Sequence, residues 1–318
     1  MGLENFIKKI SARLDVIERL NIKKNKMSIT EKKKQEAEAE LKEWLQKPDR
    51  EQEDYYRNIK KIEEELTLEK IRKSIRLPFK YLDNWYSNNF VYELLTNDST
   101  DYKTLAVANE YYNIIIADKL ADQYMNQNPP SLAFDKFGYW LANCLSQKRY
   151  TESETLLKII NKGLNTNFIN GGVNFKPATW FIIEIANKGY NNTIDYSQYN
   201  YPENMGVYQE ALKNWNTNDL NLLDNIVSKL CDYHLSQASY GDDENSIEIQ
   251  FGQDNWFVYA FEILTWLSIR EMVGLQNPEK FSHPLMDLEL NKLTNESDSF
   301  PKNELSELFE KVMVRLDS

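Results

Sequence analysis

Glycine and proline are scarce, 10 and 9 in 318 residues. A β-rich chain needs turn residues about every 8–12 positions. This sequence does not supply them, so long helices with few interruptions are expected. Histidine and cysteine are scarcer, two of each. His234 and His283 lie on different predicted elements, and no His-x-x-x-His or Cys-x-x-Cys pair occurs, which removes the spacing of a zinc site. Cys144 and Cys231 each sit inside an apolar helical pattern. Buried free thiols in a reducing, cytoplasmic compartment are therefore expected, not a disulfide. No run approaches the about 18 consecutive apolar residues of a membrane span. The stretch from Met1 to Glu18 is amphipathic with both charge signs, unlike the apolar centre of a signal peptide. Position six is Phe6, where a myristoylation signal has Ser or Thr. No membrane partner is expected.

The motifs of common chemistries are missing too. The glycines follow neither the phosphate-loop nor the dinucleotide pattern, and no Gly-x-Ser-x-Gly elbow occurs. Cys231 and His234 are three apart on one helix, but an apolar face is a poor setting for a thiolate. His234 reads as a satisfied, half-buried histidine. Carboxylates are the only abundant reactive groups. Asp242, Asp243 and Glu244, with Glu248 and Asp254 nearby, do not have the spacing of an EF-hand. Glu184 and Glu262 interrupt very apolar helices, where an acid needs a structural partner. A pair of buried acids is able to do acid–base work, yet nothing in the spacing brings these two together. The expectation is a protein that is not an enzyme, with no catalytic residue, no cofactor and no metal.

What the chain does have is apolar content, aromatics and an uneven charge. Apolar residues make up 42% and aromatics 13%, the content of a folded protein. Up to Arg76 there are 20 Lys and Arg against 16 Asp and Glu, a net of +4; the rest holds 18 basic and 33 acidic residues, a net of −15. Such a body repels nucleic acid, whose binding depends on neutralising phosphates. It attracts a basic partner and speeds the encounter.

Helical spacing recurs along the whole chain. A first segment runs from Leu3 to Leu20, a second from Ser28 or Thr30 to Gln46, and a third from about Asp49 to Arg76, where Pro78 is expected to stop it. These form a charged N-terminal segment, residues 1–76. It is read either as a helical arm or as solvated helices along one edge of the body. From Phe79 aromatics are frequent, and further helices are expected at 101–124, 131–147, 152–164, 178–187, 208–215, 219–235, 255–273 and 304–316. Residues 165–176, with Gly171-Gly172, read as a loop, and Gly274 as the stop of the helix before it. No fixed repeat of about 34 or 40 residues is present. The predicted fold is all-α: a compact assembly of antiparallel helical hairpins, with residues 77–318 as its acidic body.

The C-terminal third carries a recognisable pattern. A helix with Asp232-Tyr233-His234 leads into an acidic loop. The stretch from Trp256 to Leu267 follows, then Arg270-Glu271-Met272-Val273-Gly274-Leu275, and finally His283-Pro284-Leu285-Met286. This resembles the closing segment of all-α bacterial immunity proteins of polymorphic-toxin and interbacterial-competition systems, of the PoNi type and the immunity protein 49 type. It covers residues 205–290 best and the hairpins of 100–190 less fully. The resemblance implies function by tight binding to a cognate toxin, in such families often a nuclease, with no active site. The acidic body agrees, since a nuclease presents a basic groove. On this reading the expected partner is a basic toxin protein. Its expected contacts are the loop residues Asp242, Asp243, Glu244 and Glu248, with Tyr196, Tyr199 and Tyr201 as aromatic anchors. The alternative is a helical adaptor that holds partner peptides or helices in a groove. A third reading is a helical enzyme using buried carboxylates and a divalent metal.

Overall fold

The computed structural model describes residues 28–96, 101–124, 131–170, 176–239, 249–294 and 300–318. Residues 169–170 of the predicted loop form a short strand; the first predicted helix, residues 171–175 of that loop and the acidic residues Asp242, Asp243, Glu244 and Glu248 lie outside the described residues. Among these the chain is all-α, as expected: eleven α-helices and a single two-residue parallel pairing. The helices are α1 (Ile29–Leu45), α2 (Arg57–Leu66), α3 (Arg76–Thr96), α4 (Asp101–Gln123), α5 (Phe134–Ser146) and α6 (Tyr150–Gly163). They continue as α7 (Pro177–Gly189), α8 (Tyr208–Lys213), α9 (Leu220–Gln237), α10 (Phe261–Met272) and α11 (Glu304–Asp317). The strands are β1 (Leu132–Ala133) and β2 (Ile169–Asn170), with Leu132 opposite Ile169.

Local signals explain most boundaries. Ser28 caps α1, its hydroxyl accepting from the Glu31 amide. Asp219 caps α9 through the amides of Asn221 and Leu222. Pro177 occupies the first turn of α7, where its missing N–H costs nothing. The same rule corrects the reading of Pro78. It does not end a helix; it sits in the first turn of α3. The helix before it stops earlier, at Leu66, after a π-turn over Gln52–Tyr56.

The core is one continuous apolar cluster. Ala37 and Leu41 of α1 and Ile59 and Ile62 of α2 are buried in it together with the residues of the later helices. At its centre α10 is buried on every side: Phe261 to Arg270 are all buried. It packs against α5 and α7, with Tyr139 of α5 edge-on to Phe261 at 5.1 Å between ring centres. Periodicity alone starts this helix at Asn255. Instead Asp254–Trp256 form a 3₁₀ turn, and α10 begins at Phe261. The reason is Asn291, 31 residues from Ala260. Its side chain accepts from the Ala260 amide at 2.8 Å and donates to the carbonyls of Val258 at 2.9 Å and Leu285 at 2.8 Å. Those bonds hold the backbone before α10 out of the helix.

At its other end α10 stops as Gly274 predicts. The Gly274 amide donates to Glu271 O and the Leu275 amide to Arg270 O, a Schellman arrangement with Gly274 at φ +81°. A Cβ there would meet nothing within 4 Å, so any penalty is conformational. Gly274→Ala is expected to lower unfolding free energy by about 1–2 kcal/mol, measured by urea denaturation. An unchanged value would show that the turn relaxes.

Candidate functional site

The three predicted aromatic anchors share one place, yet they are half-buried and not free. Asp195 accepts from the Ser197 amide and hydroxyl, which starts a short 3₁₀ turn, Tyr196–Gln198. From this turn and the strand-like chain after it, the rings of Tyr196, Tyr199 and Tyr201 lie 6.0, 6.4 and 5.3 Å from the ring of buried Trp180. The Tyr201 hydroxyl donates to Glu184 at 2.7 Å, and Lys188 lies 3.4 Å from the same carboxylate. Burial and the Glu184 charge push the Tyr201 hydroxyl well up. The tyrosines roof Trp180 and leave only part of each ring to a partner. Glu184 thus has its structural partner, and it does not meet Glu262.

Glu262 instead meets His234, a pairing that the spacing of 28 residues hides. Both side chains are fully buried, so the histidine is deeper than the half-buried position expected for it. The His234 ring stacks on Phe251 at 3.9 Å. Nε2 lies 2.9 Å from the carbonyl of Trp256, which accepts only, so that nitrogen carries a proton. Nδ1 lies 2.9 Å from Glu262 Oε1. This hydrogen bond ties α9 to the start of α10. Among the described residues Glu262 Oε2 has no hydrogen-bond partner, so the buried carboxylate depends on its contact with His234. Nearby Cys231 is buried, and burial together with the Glu262 charge pushes its thiol up. Cys144 is buried and shifted the same way by burial. Neither thiol is disposed to act as a nucleophile. His234→Phe and Glu262→Leu are each expected to cost about 3–5 kcal/mol, because each strands a buried polar group. The double variant should cost less than the sum of the two. Simple additivity in chemical denaturation would refute the pairing.

A second buried polar group, which sequence reasoning missed, joins α3, α4 and α5. Glu110 of α4 is fully buried and accepts from Asn143 Nδ2 at 2.8 and 2.9 Å. Ser87 links it to Asp83, lying 3.4 Å from each carboxylate. Asp83 also accepts from Trp140 Nε1 at 3.2 Å and Lys136 Nζ at 3.4 Å. Burial, and then the Asp83 charge, raise the Glu110 carboxyl well above its ordinary 4.5. The only hint in the sequence was polar residues amid apolar ones, as in Ala142-Asn143-Cys144. The native state holds this proton at pH values where the unfolded chain has released it, so its contribution to stability falls as pH rises above 4.5. Glu110→Gln should remove that component. The variant's stability relative to the natural chain is then expected to grow from about pH 5 to about pH 7, followed by chemical denaturation at each pH.

On the outer surface α9 presents Asp224, Ser228 and Asp232 along one face. The segment 279–289 lies against it: the Ser282 amide donates to Asp224 at 2.8 Å, Ser282 and Ser228 share a hydrogen bond at 3.0 Å, and His283 Nε2 lies 3.4 Å from Asp232. With exposed Glu279, Asp287 and Glu289 this makes an acidic surface, offset by Lys280, 3.9 Å from Asp287. Among the described residues no group of three or more His, Cys, Asp or Glu is placed to hold a metal ion, and no helix is long and apolar enough to cross a membrane. No family model, no curated protein and no solved structure matches the chain.

Proposed function

We propose that this chain is an immunity protein, one that binds and neutralises a basic antibacterial toxin through its acidic surface. The observation that carries the reading is the charge: −15 beyond residue 76, with Asp232, Glu279, Asp287 and Glu289 exposed around α9. A surface of one sign raises the encounter rate with a partner of the other and turns away nucleic acid. The interior supports binding over catalysis, because its thiols, its histidine–glutamate pair and the Glu110 carboxyl are shut inside. Asp242, Asp243, Glu244 and Glu248 extend the acidic sequence between α9 and α10. The partial exposure of Tyr196, Tyr199 and Tyr201 offers aromatic edges beside Glu184.

The test is co-expression of the full chain with the product of the adjacent gene, scoring survival of the cells and recovery of a complex of fixed ratio. Rescue and co-purification are expected, and a harmless neighbour that ignores the chain defeats the reading. Within a complex, reversing Asp242, Asp243 and Glu244 to Lys is expected to slow association by about tenfold at low salt. Unchanged affinity and protection in that triple variant would move the interface elsewhere.

A further inference from the structure

We propose that the cleft between the beginnings of α3 and α5 binds one phosphate group on Arg76, Lys80 and Lys136. The inference is independent of any protein partner. The cleft measures about 80 Å³, and its walls include Arg76, Lys80 and Asp83 from α3, Ser131 just before β1, and Lys136 and Trp140 from α5. A water needs about 10–15 Å³ of such space, so the cleft takes a group of a few heavy atoms and not a nucleoside.

Arg76 is the decisive residue. It is 8% exposed. Its guanidinium makes one long bond, Nη2 to the carbonyl of Ser131 at 3.5 Å, and Nη1 is buried with no hydrogen-bond partner. Among the described residues no carboxylate forms an ion pair with it, and burial lowers its pKa. A buried cation left in this state is among the costliest arrangements a fold can hold. Arg270, also buried, shows how such a group is ordinarily treated. It donates to Asn277 Oδ1 at 3.0 Å and to the carbonyls of Trp215 at 3.1 Å and Gln276 at 2.8 Å.

The surroundings add charge of the same sign. Lys80 stands exposed at the rim, without an ion pair among the described residues. Lys136 reaches Asp83 at 3.4 Å and Gln253 Oε1 at 3.0 Å. The carboxylate of Asp83 is itself drawn inward by Trp140 and Ser87. Three cations against one carboxylate leave the cleft at +2 in a chain of net −11. Two helices begin beside it; α5 has Ala133 in its cap position with no side-chain cap, while Asp135 in its first turn accepts from the Lys136 amide at 2.9 Å, so the charge of the cleft rests on its side chains and not on the helix end. A dianionic tetrahedral group matches that charge and supplies the acceptors Arg76 lacks. Arg donates to phosphate in a fork that no single carbonyl satisfies.

The test is isothermal titration calorimetry on the full chain in phosphate-free buffer at constant ionic strength, with inorganic phosphate and with adenosine monophosphate. One saturable site is expected. Binding of inorganic phosphate assigns the cleft to the free ion, and binding of the monophosphate alone assigns it to a phosphate carried on a larger molecule. Lys80→Gln, a change at an exposed position, should weaken binding about fivefold. Arg76→Met should abolish it while raising the melting temperature of the phosphate-free protein, because it removes an uncompensated buried charge. No saturable binding of either ligand overturns the proposal. So does equal affinity in the natural chain and the Lys80→Gln variant.

Discussion

A helix buried on every side has to satisfy its charged residues inside the protein, and α10 is such a helix. Its two charged residues within the buried run, Glu262 and Arg270, sit near opposite ends of it. Each is met by chain from elsewhere: His234 of α9 at one end, the carbonyls of Trp215 and Gln276 at the other. Asn291 closes the backbone just before the helix. The segments that flank α10 in space are therefore held to it by directional bonds as well as by apolar contact. Loss of any of them would leave a buried polar group unpaired, which costs more than the bond itself contributes.

Three buried charged groups follow three different arrangements. Arg270 is saturated with acceptors. Glu262 is met by the ring nitrogen of His234 at 2.9 Å. Glu110, with Asn143 as its donor and Asp83 near, has its carboxyl pushed well above the ordinary range by burial. Arg76 fits none of these, since a guanidinium cannot shed its proton and, among the described residues, it finds one distant carbonyl. Seen against the others, it is the exception that asks for a ligand.

The outside and the inside of this protein divide the work. Reactive side chains are spent on holding the interior together, while the exposed surface carries acid in excess. That division suits a protein whose function is to be met by a partner of opposite charge. The aromatic roof over Trp180 belongs to both sides, because the same three rings seal the core and present edges outward.

Local chemistry was legible in the residues. The scarcity of glycine and proline determined the all-α class, Ser28 and Asp219 marked helix starts, and Gly274 marked a stop, because each acts through bonds to amides or carbonyls a few positions away. The burial of both cysteines followed from their apolar neighbours. What needed the tertiary structure was every decision made by a distant partner. Pro78 opens a helix because the chain before it had already left the helix at Leu66. The chain just before α10 stays out of the helix because Asn291 takes the Val258 carbonyl and the Ala260 amide. His234 found Glu262, and Asp83 found Glu110 through Ser87, across gaps no periodicity encodes. Side-chain hydrogen bonds between remote segments form only once packing brings the segments together, so residue type announces the need for a partner and only the packed chain chooses which one.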